Sequence, residues 1–145
     1  MLRRAKALAV SAWAEVRLPP AARQERGRDR QGLPARSSDS EEALHAAMDW
    51  LCRAQDRSST HDGGVAHSYD LRSGWQASYP ETTGYIVPTM FAYAQATGSS
   101  EPRDRARRMI EWLLSVQMPS GAFPGGTIDA PPVPVAFNTG QIIGG

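Results

Sequence analysis

A single cysteine, Cys52, excludes an internal disulfide and any metal site built from clustered cysteines. It falls on the apolar side of an amphipathic segment, which reads as a small buried hydrophobe rather than a nucleophile. No apolar run approaches the ~20 residues that a membrane-spanning helix needs. Arg3, Arg4 and Lys6 precede Ala7-Leu8-Ala9-Val10 in the manner of an export signal, but that run is short, Ala-rich and limited by Ser11 and Glu15. A cytoplasmic location is therefore the expectation. No Gly-x-Gly-x-x-Gly, phosphate-binding loop or Gly-x-Ser-x-Gly occurs, so nucleotide binding and acyl transfer have no support. No cofactor or metal is implied.

What is present is unevenly distributed. Residues 1 to 36 carry nine Lys and Arg against three acids, and residues 37 to 145 carry seven against twelve. The basic arm contains one aromatic, Trp13, and no stacking pattern, so it reads as a solvated leader and not as a nucleic-acid surface. Leu2 to Val16 is predicted to form a short basic helix that Pro19-Pro20 ends. From Ala21 to Ser40 large apolar residues are scarce, which predicts a flexible linker unable to offset its ordering entropy by burial. The expected division is 1–37, a disordered leader and linker, and 38–145, the ordered part.

Order is expected to begin at Ser38-Asp39-Ser40-Glu41, a capping-box pattern. Leu44, Ala47, Met48, Leu51 and Cys52 then follow helical spacing. Val65 to Tyr79 is β-like or irregular, with Gly74 marking a turn between Tyr69 and Trp75. A second helix is expected from about Thr83 to Thr97. Thr83 is its cap candidate, Gly98 its end, and Pro88 draws the true first turn towards Ile86. Its apolar residues cover nearly all sides, the mark of an inner helix. Ser100 and Glu101-Pro102 start a third helix whose single apolar stripe is Ala106, Met109, Ile110, Leu113 and Leu114, with Asp104–Arg108 and Arg107–Glu111 as exposed ion pairs. Phe137 to Ile143 opens another inner helix.

These segments repeat. Trp50-Leu51-x-x-x-Gln55, Gly63-Gly64 and Thr83-Gly84-Tyr85-Ile86 recur as Trp112-Leu113-x-x-x-Gln117, Gly121 and Thr139-Gly140-Gln141-Ile142. The spacing is 62 positions between the Trp residues and 56 between the Thr residues. Each unit thus reads as outer helix, Gly-bearing loop and inner helix, a repeat that needs stacked neighbours to bury its apolar faces. The sequence stops soon after the second Thr-Gly. The expectation is a part of a larger ring, inactive alone, with self-association through an exposed inner helix.

The segment Trp112-Leu113-Leu114-Ser115-Val116-Gln117-Met118-Pro119-Ser120-Gly121-Ala122-Phe123 resembles the QW-type repeat of squalene and other terpenoid cyclases, shared in weaker form by protein prenyltransferase β subunits. Trp50 to Gly64 is a looser copy. The resemblance covers residues 43 to 145 and implies an all-α fold, the alpha-alpha toroid, here incomplete, with inner helices around a central cavity. Tyr79-Pro80-Glu81-Thr82-Thr83-Gly84-Tyr85 is also similar to bacterial toroid proteins labelled by prenyltransferase or squalene-oxidase repeats and associated with polysaccharide gene clusters. The Asp-rich acid motif of the cyclases and the Asp, Cys and His set of the prenyltransferase zinc site are both missing, so neither activity carries over.

Toroid enzymes place function where loops meet the starts of inner helices. That nominates Tyr79, Glu81, Thr83 and Tyr85 in the first unit and Asn138 and Gln141 in the second. Aligned on Thr-Gly, Glu81 falls opposite Phe137, so this acid is outside the shared scaffold and is a general acid or base candidate; a carboxylate favoured by a helix N-terminus is the structural alternative. Trp75, with Tyr69 and Tyr79, is suited to stack on a sugar ring or shield a cation, or else to close the core beneath the long loop. His61-Asp62 and His67 lack the helical spacing that would aim two metal ligands together. Three readings follow: a terpenoid-cyclase-like toroid of unspecified reaction, a carbohydrate-active toroid (epimerase, lyase or hydrolase), and a non-catalytic scaffold that binds protein. The partner in the first two is a small-molecule or glycan substrate.

Overall fold

The computed structural model describes residues 16–32 and 39–144. Five helices and two small hairpins follow one another: α1 Pro20–Gln31, α2 Ser40–Asp56, β1 Tyr69–Asp70, β2 Gly74–Trp75, α3 Pro80–Thr97, α4 Glu101–Val116, β3 Pro124–Gly125, β4 Val133–Pro134 and α5 Ala136–Gly144. The molecule is mostly helical, and each hairpin is a two-stranded antiparallel ladder. No helix among the described residues is long and apolar enough to cross a membrane.

The stretch read as a flexible linker contains a helix instead. In α1, Pro20 occupies the first turn, where its missing N–H costs nothing, and Ala, Arg, Gln and Glu are strong helix formers. Arg28 bonds Glu25 one turn earlier at 2.7 Å. Scarcity of large apolar residues removed the burial argument for order, but propensity and local ion pairs sustain a polar helix without a broad buried face. The basic helix expected over Leu2 to Val16 lies outside the described residues except for Val16, which is helical.

The capping box is displaced. Asp39, not Ser38, is the N-cap of α2, and it makes no side-chain cap bond; Ser38 lies outside the described residues. Helix α3 begins at Pro80 rather than near Ile86, with Tyr79 as N-cap, so Thr83 sits inside the first turns and does not cap. Pro80 is the proline at the tolerated start, which leaves Pro88 in the helix interior on an exposed side. Helix α4 starts as expected after Ser100 with Pro102 in its first turn. Its stripe is rotated, however: Trp112 is buried and Leu114 is exposed. Its ion pairs are Arg107–Asp104 and Arg105–Glu101, with Arg105 also bidentate on Asp56 of α2.

One core joins the pieces. Met48 and Ala54 of α2, Val65, Ile86, Val87 and Met90 of α3, Ala106, Met109, Trp112 and Leu113 of α4, and Phe123 form a contiguous buried cluster. Met90 and Met109 are fully enclosed. Helix α3 packs along α4 and against α5, and Tyr85 and Phe91 keep one side open. Cys52 lies against this core, and its burial pushes the thiol up.

The two units share three hydrogen bonds. The side-chain amide Nε2 of Gln55 donates to Gly63 O at 3.0 Å, and that of Gln117 to Gly121 O at 2.9 Å. Gly63 and Gly121 both hold a positive φ. Val65 N donates to Thr83 Oγ1 at 2.9 Å and Phe123 N to Thr139 Oγ1 at 2.9 Å, and each Thr hydroxyl passes its proton to the carbonyl four residues back, Tyr79 or Val135. The repeated Gln fastens the Gly loop, and the repeated Thr clamps the far end of the same loop to the helix that follows, α3 or α5.

Candidate functional site

The start of α3 and the first turn of α5 lie side by side, which brings three of the nominated residues together. Tyr79 donates its phenolic proton to Glu81 Oε2 at 2.6 Å, and Asn138 Nδ2 donates to the same phenol oxygen at 3.1 Å across the two units. Tyr79 Oη thus has one acceptor and one donor beside it. Asn138 is buried, while Tyr79 and Glu81 are half-exposed. The bond to Glu81 pushes the Tyr79 phenol up, and burial adds to it; the Asn138 donor opposes the shift because it favours the phenolate.

His67 completes the edge of this cluster. Its ring lies 5.2 Å from that of Tyr79 at a steep angle. Its approach to Tyr79 depends on the hairpin returning on itself. A bridge between Ala66 and Ser78 and the bond from His67 N to Ala77 O close that hairpin at its base.

The hairpin tip carries the aromatics. Asp70 Oδ1 accepts from Arg72 N, Ser73 N and Ser73 Oγ, and Gly74 takes the positive φ that completes the turn. Tyr69 pairs directly with Trp75 across the two strands. Trp50 of α2 packs on both, 4.8 Å from Trp75 and 6.1 Å from Tyr69, and Arg53 lies over the indole of Trp50. Trp50 and Tyr69 remain about half exposed. Trp75 thus belongs to an aromatic cluster at one end of the hairpin whose other end holds Tyr79.

The remaining nominees separate from the site. Thr83 is fully buried with its hydroxyl engaged as donor and acceptor, a structural clamp. Tyr85 is exposed on α3, and Gln141 is half-buried on α5. Asp62 is not aimed at a metal with His61 and His67: its Oδ1 accepts from Gly64 N and from Ser78 Oγ, tying the Gly loop to the hydroxyl cluster of Ser58, Thr60 and Ser78. Among the described residues no three His, Cys, Asp or Glu side chains gather where a metal ion would need them.

An apolar recess lies elsewhere. A cavity of about 410 Å³ opens between α3, α4 and α5, floored by Gly84, Val87, Leu113 and Ile142. It contains no titratable group and offers shape without chemistry. Comparison with protein-family models, with curated proteins and with solved structures finds no match.

Proposed function

We propose that the chain is a helical-repeat unit of the alpha-alpha toroid type that binds a carbohydrate where the loops meet the inner helices, with Glu81 as general base or acid. The supporting observation is the Glu81–Tyr79–Asn138 cluster beside the base of the hairpin whose strands carry Tyr69 and Trp75, on which Trp50 of α2 packs. Half-exposed aromatic rings suit the CH faces of sugars, and a carboxylate bonded to a phenol suits proton exchange with a sugar hydroxyl or ring carbon. The Asn138 donor on the phenol oxygen would help to stabilise the phenolate formed when Tyr79 gives up its proton. A terpenoid-cyclase-like reaction has less support, since no Asp-rich acid motif accompanies the repeat.

The test is calorimetric titration and turnover against a panel of neutral and acidic polysaccharide fragments. Trp75→Ala is expected to weaken binding about tenfold or more, and Glu81→Gln to abolish turnover while sparing binding. Unchanged binding and turnover in both variants would exclude the reading. One observation favours the scaffold reading instead: the Tyr79 hydroxyl is already bonded to Glu81 and Asn138 and links the two units. In that case both variants lose stability and no fragment binds.

A further inference from the structure

The seven arginines of residues 37–145 stand in two places. Arg103, Arg105, Arg107 and Arg108 lie along α4, where Arg105 pairs with Asp56 and Glu101 and Arg107 with Asp104. The other three border the aromatic cluster. Arg53 and Arg57 follow Trp50 by three and seven positions, which sets them on its side of α2 and its C-cap, and Arg72 is in the turn of the hairpin that carries Tyr69 and Trp75. Among the described residues none of these three guanidinium groups makes an ion pair.

Arg53 shows what the arrangement is suited to hold. Asp49 precedes it by four positions, the order of acid and base that a helix favours for pairing, yet Arg53 lies over the indole of Trp50 instead, 5.9 Å from the ring centroid. A π face attracts the charge of a guanidinium and leaves its fork of N–H donors for a carboxylate. The acids of the same stretch do not cancel the charge. Asp56 is held by Arg105, and three arginines then face Asp49 and Asp70, whose Oδ1 already accepts three hydrogen bonds from its own turn.

The rings select the shape of the ligand. Trp50, Tyr69 and Trp75 are inclined to one another by 52°, 64° and 76°, so they form a corner and not a flat platform. A puckered sugar ring meets two walls of such a corner with its C–H groups, whereas a flat nucleobase needs a parallel face. Charge separates the two ligands as well: residues 37–145 carry seven basic against twelve acidic side chains, which repels a long polyphosphate, while one carboxylate needs one guanidinium. We infer that the cluster takes a carboxylated sugar, its ring in the corner beside Trp50 and Tyr69 and its carboxylate on the Arg53 guanidinium. The inference rests on the carbohydrate reading above and names the class of sugar.

Calorimetric titration of the full chain with oligomers of galacturonate, glucuronate and mannuronate tests it, each paired with its carboxyl-reduced twin. At least one uronate is expected to bind about tenfold or more tightly than its twin, a preference that added salt reduces. Arg53→Gln is expected to bring that uronate down to the affinity of its twin, Arg53→Lys to keep part of the preference, and Trp50→Ala to weaken both oligomers. Equal binding of uronate and twin, or a preference that survives Arg53→Gln, would overturn the inference and leave the carbohydrate reading standing. No binding of either form would overturn both. Tighter binding of oligothymidylate than of any uronate would assign the patch to single-stranded nucleic acid and overturn the inference. Arg53 is exposed, so its variants keep the test valid if far-UV circular dichroism shows that Trp50→Ala fails to fold.

Discussion

The first and second units share one hydrogen-bond scheme but not one degree of enclosure. In the first, Gln55 is buried and bonds Gly63 O, Arg105 O and the Arg105 guanidinium, and Thr83 is sealed from water. In the second, Gln117 is exposed and bonds Gly121 O, and Thr139 is half-buried. The same residues in the same local geometry therefore hold different weight, because burial by a neighbouring unit decides how much a lost bond costs.

Glycine substitutions break this comparison most sharply. Gly64→Ala forces a methyl into the buried face of Trp112 and Gly84→Ala forces one against Ile142 Cγ1 and its backbone Cα. Each is expected to lower stability by about 1–3 kcal/mol, since neither neighbour is a flexible chain end. Gly140→Ala, at the position equivalent to Gly84, meets open space and is expected to raise stability by about 0.5–1 kcal/mol through helix propensity. Urea unfolding of the three variants checks the signs; equal effects at Gly84 and Gly140 would refute the claimed difference in enclosure.

Much of this architecture was legible in the residues. Trp-Leu-x-x-x-Gln, Gly and Thr-Gly marked the units because each is a covalently local solution: the Gln reaches a loop carbonyl, the Gly takes a positive φ, and the Thr meets an amide at the loop end. Helix boundaries were less legible. Two prolines, Pro80 and Pro88, compete for the start of α3, and only packing against α4 and α5 decides for the earlier one. The orientation of α4 was misread at Leu114 because the pattern ignored Trp112, whose burial depends on Gly64 of the other unit. At the candidate site, Tyr79, Glu81, Asn138 and Thr83 were nominated by position at the starts of the helices that follow the loops; Thr83 is buried with its hydroxyl bonded as donor and acceptor, whereas the other three meet at one phenol oxygen. His67 reaches Tyr79 through loop closure, which no periodicity records.

The clamp residues give the next largest effect. Thr83→Val leaves the Val65 amide without its acceptor in a buried place and is expected to cost about 1–3 kcal/mol, and Thr139→Val, half-buried, about 1 kcal/mol or less. Gln55→Ala and Gln117→Ala should separate in the same order, the first removing bonds to two chain segments and the second a bond at the surface. Amide hydrogen exchange at Val65 and Phe123 reads the clamps directly: protection lost in the Thr variant and kept in the Gln variant would assign the two roles.

The smallest expected effect is a pH dependence at the junction. The hydrogen bonds from Arg105 hold the Asp56 carboxyl below the usual carboxylate range, with burial opposing and the nearby guanidinium charges assisting. A depressed folded-state pKa means that the unfolded chain binds the proton first as pH falls. The stability from Asp56 is thus fully present above the ordinary carboxylate value of about 4 and is lost as pH drops through the lower folded value. Half of the Asp56 side chain faces solvent, so screening limits the contribution to about 1 kcal/mol or less. Asp56→Asn is expected to flatten the fall in stability below about pH 4 while leaving stability at pH 7 only slightly reduced, and added salt should shrink the difference. Met118, which stands at the same position in the second unit, provides no such group; Met118→Ala should leave the acid limb of the stability curve unchanged, and the contrast between the two variants isolates the charge from the packing.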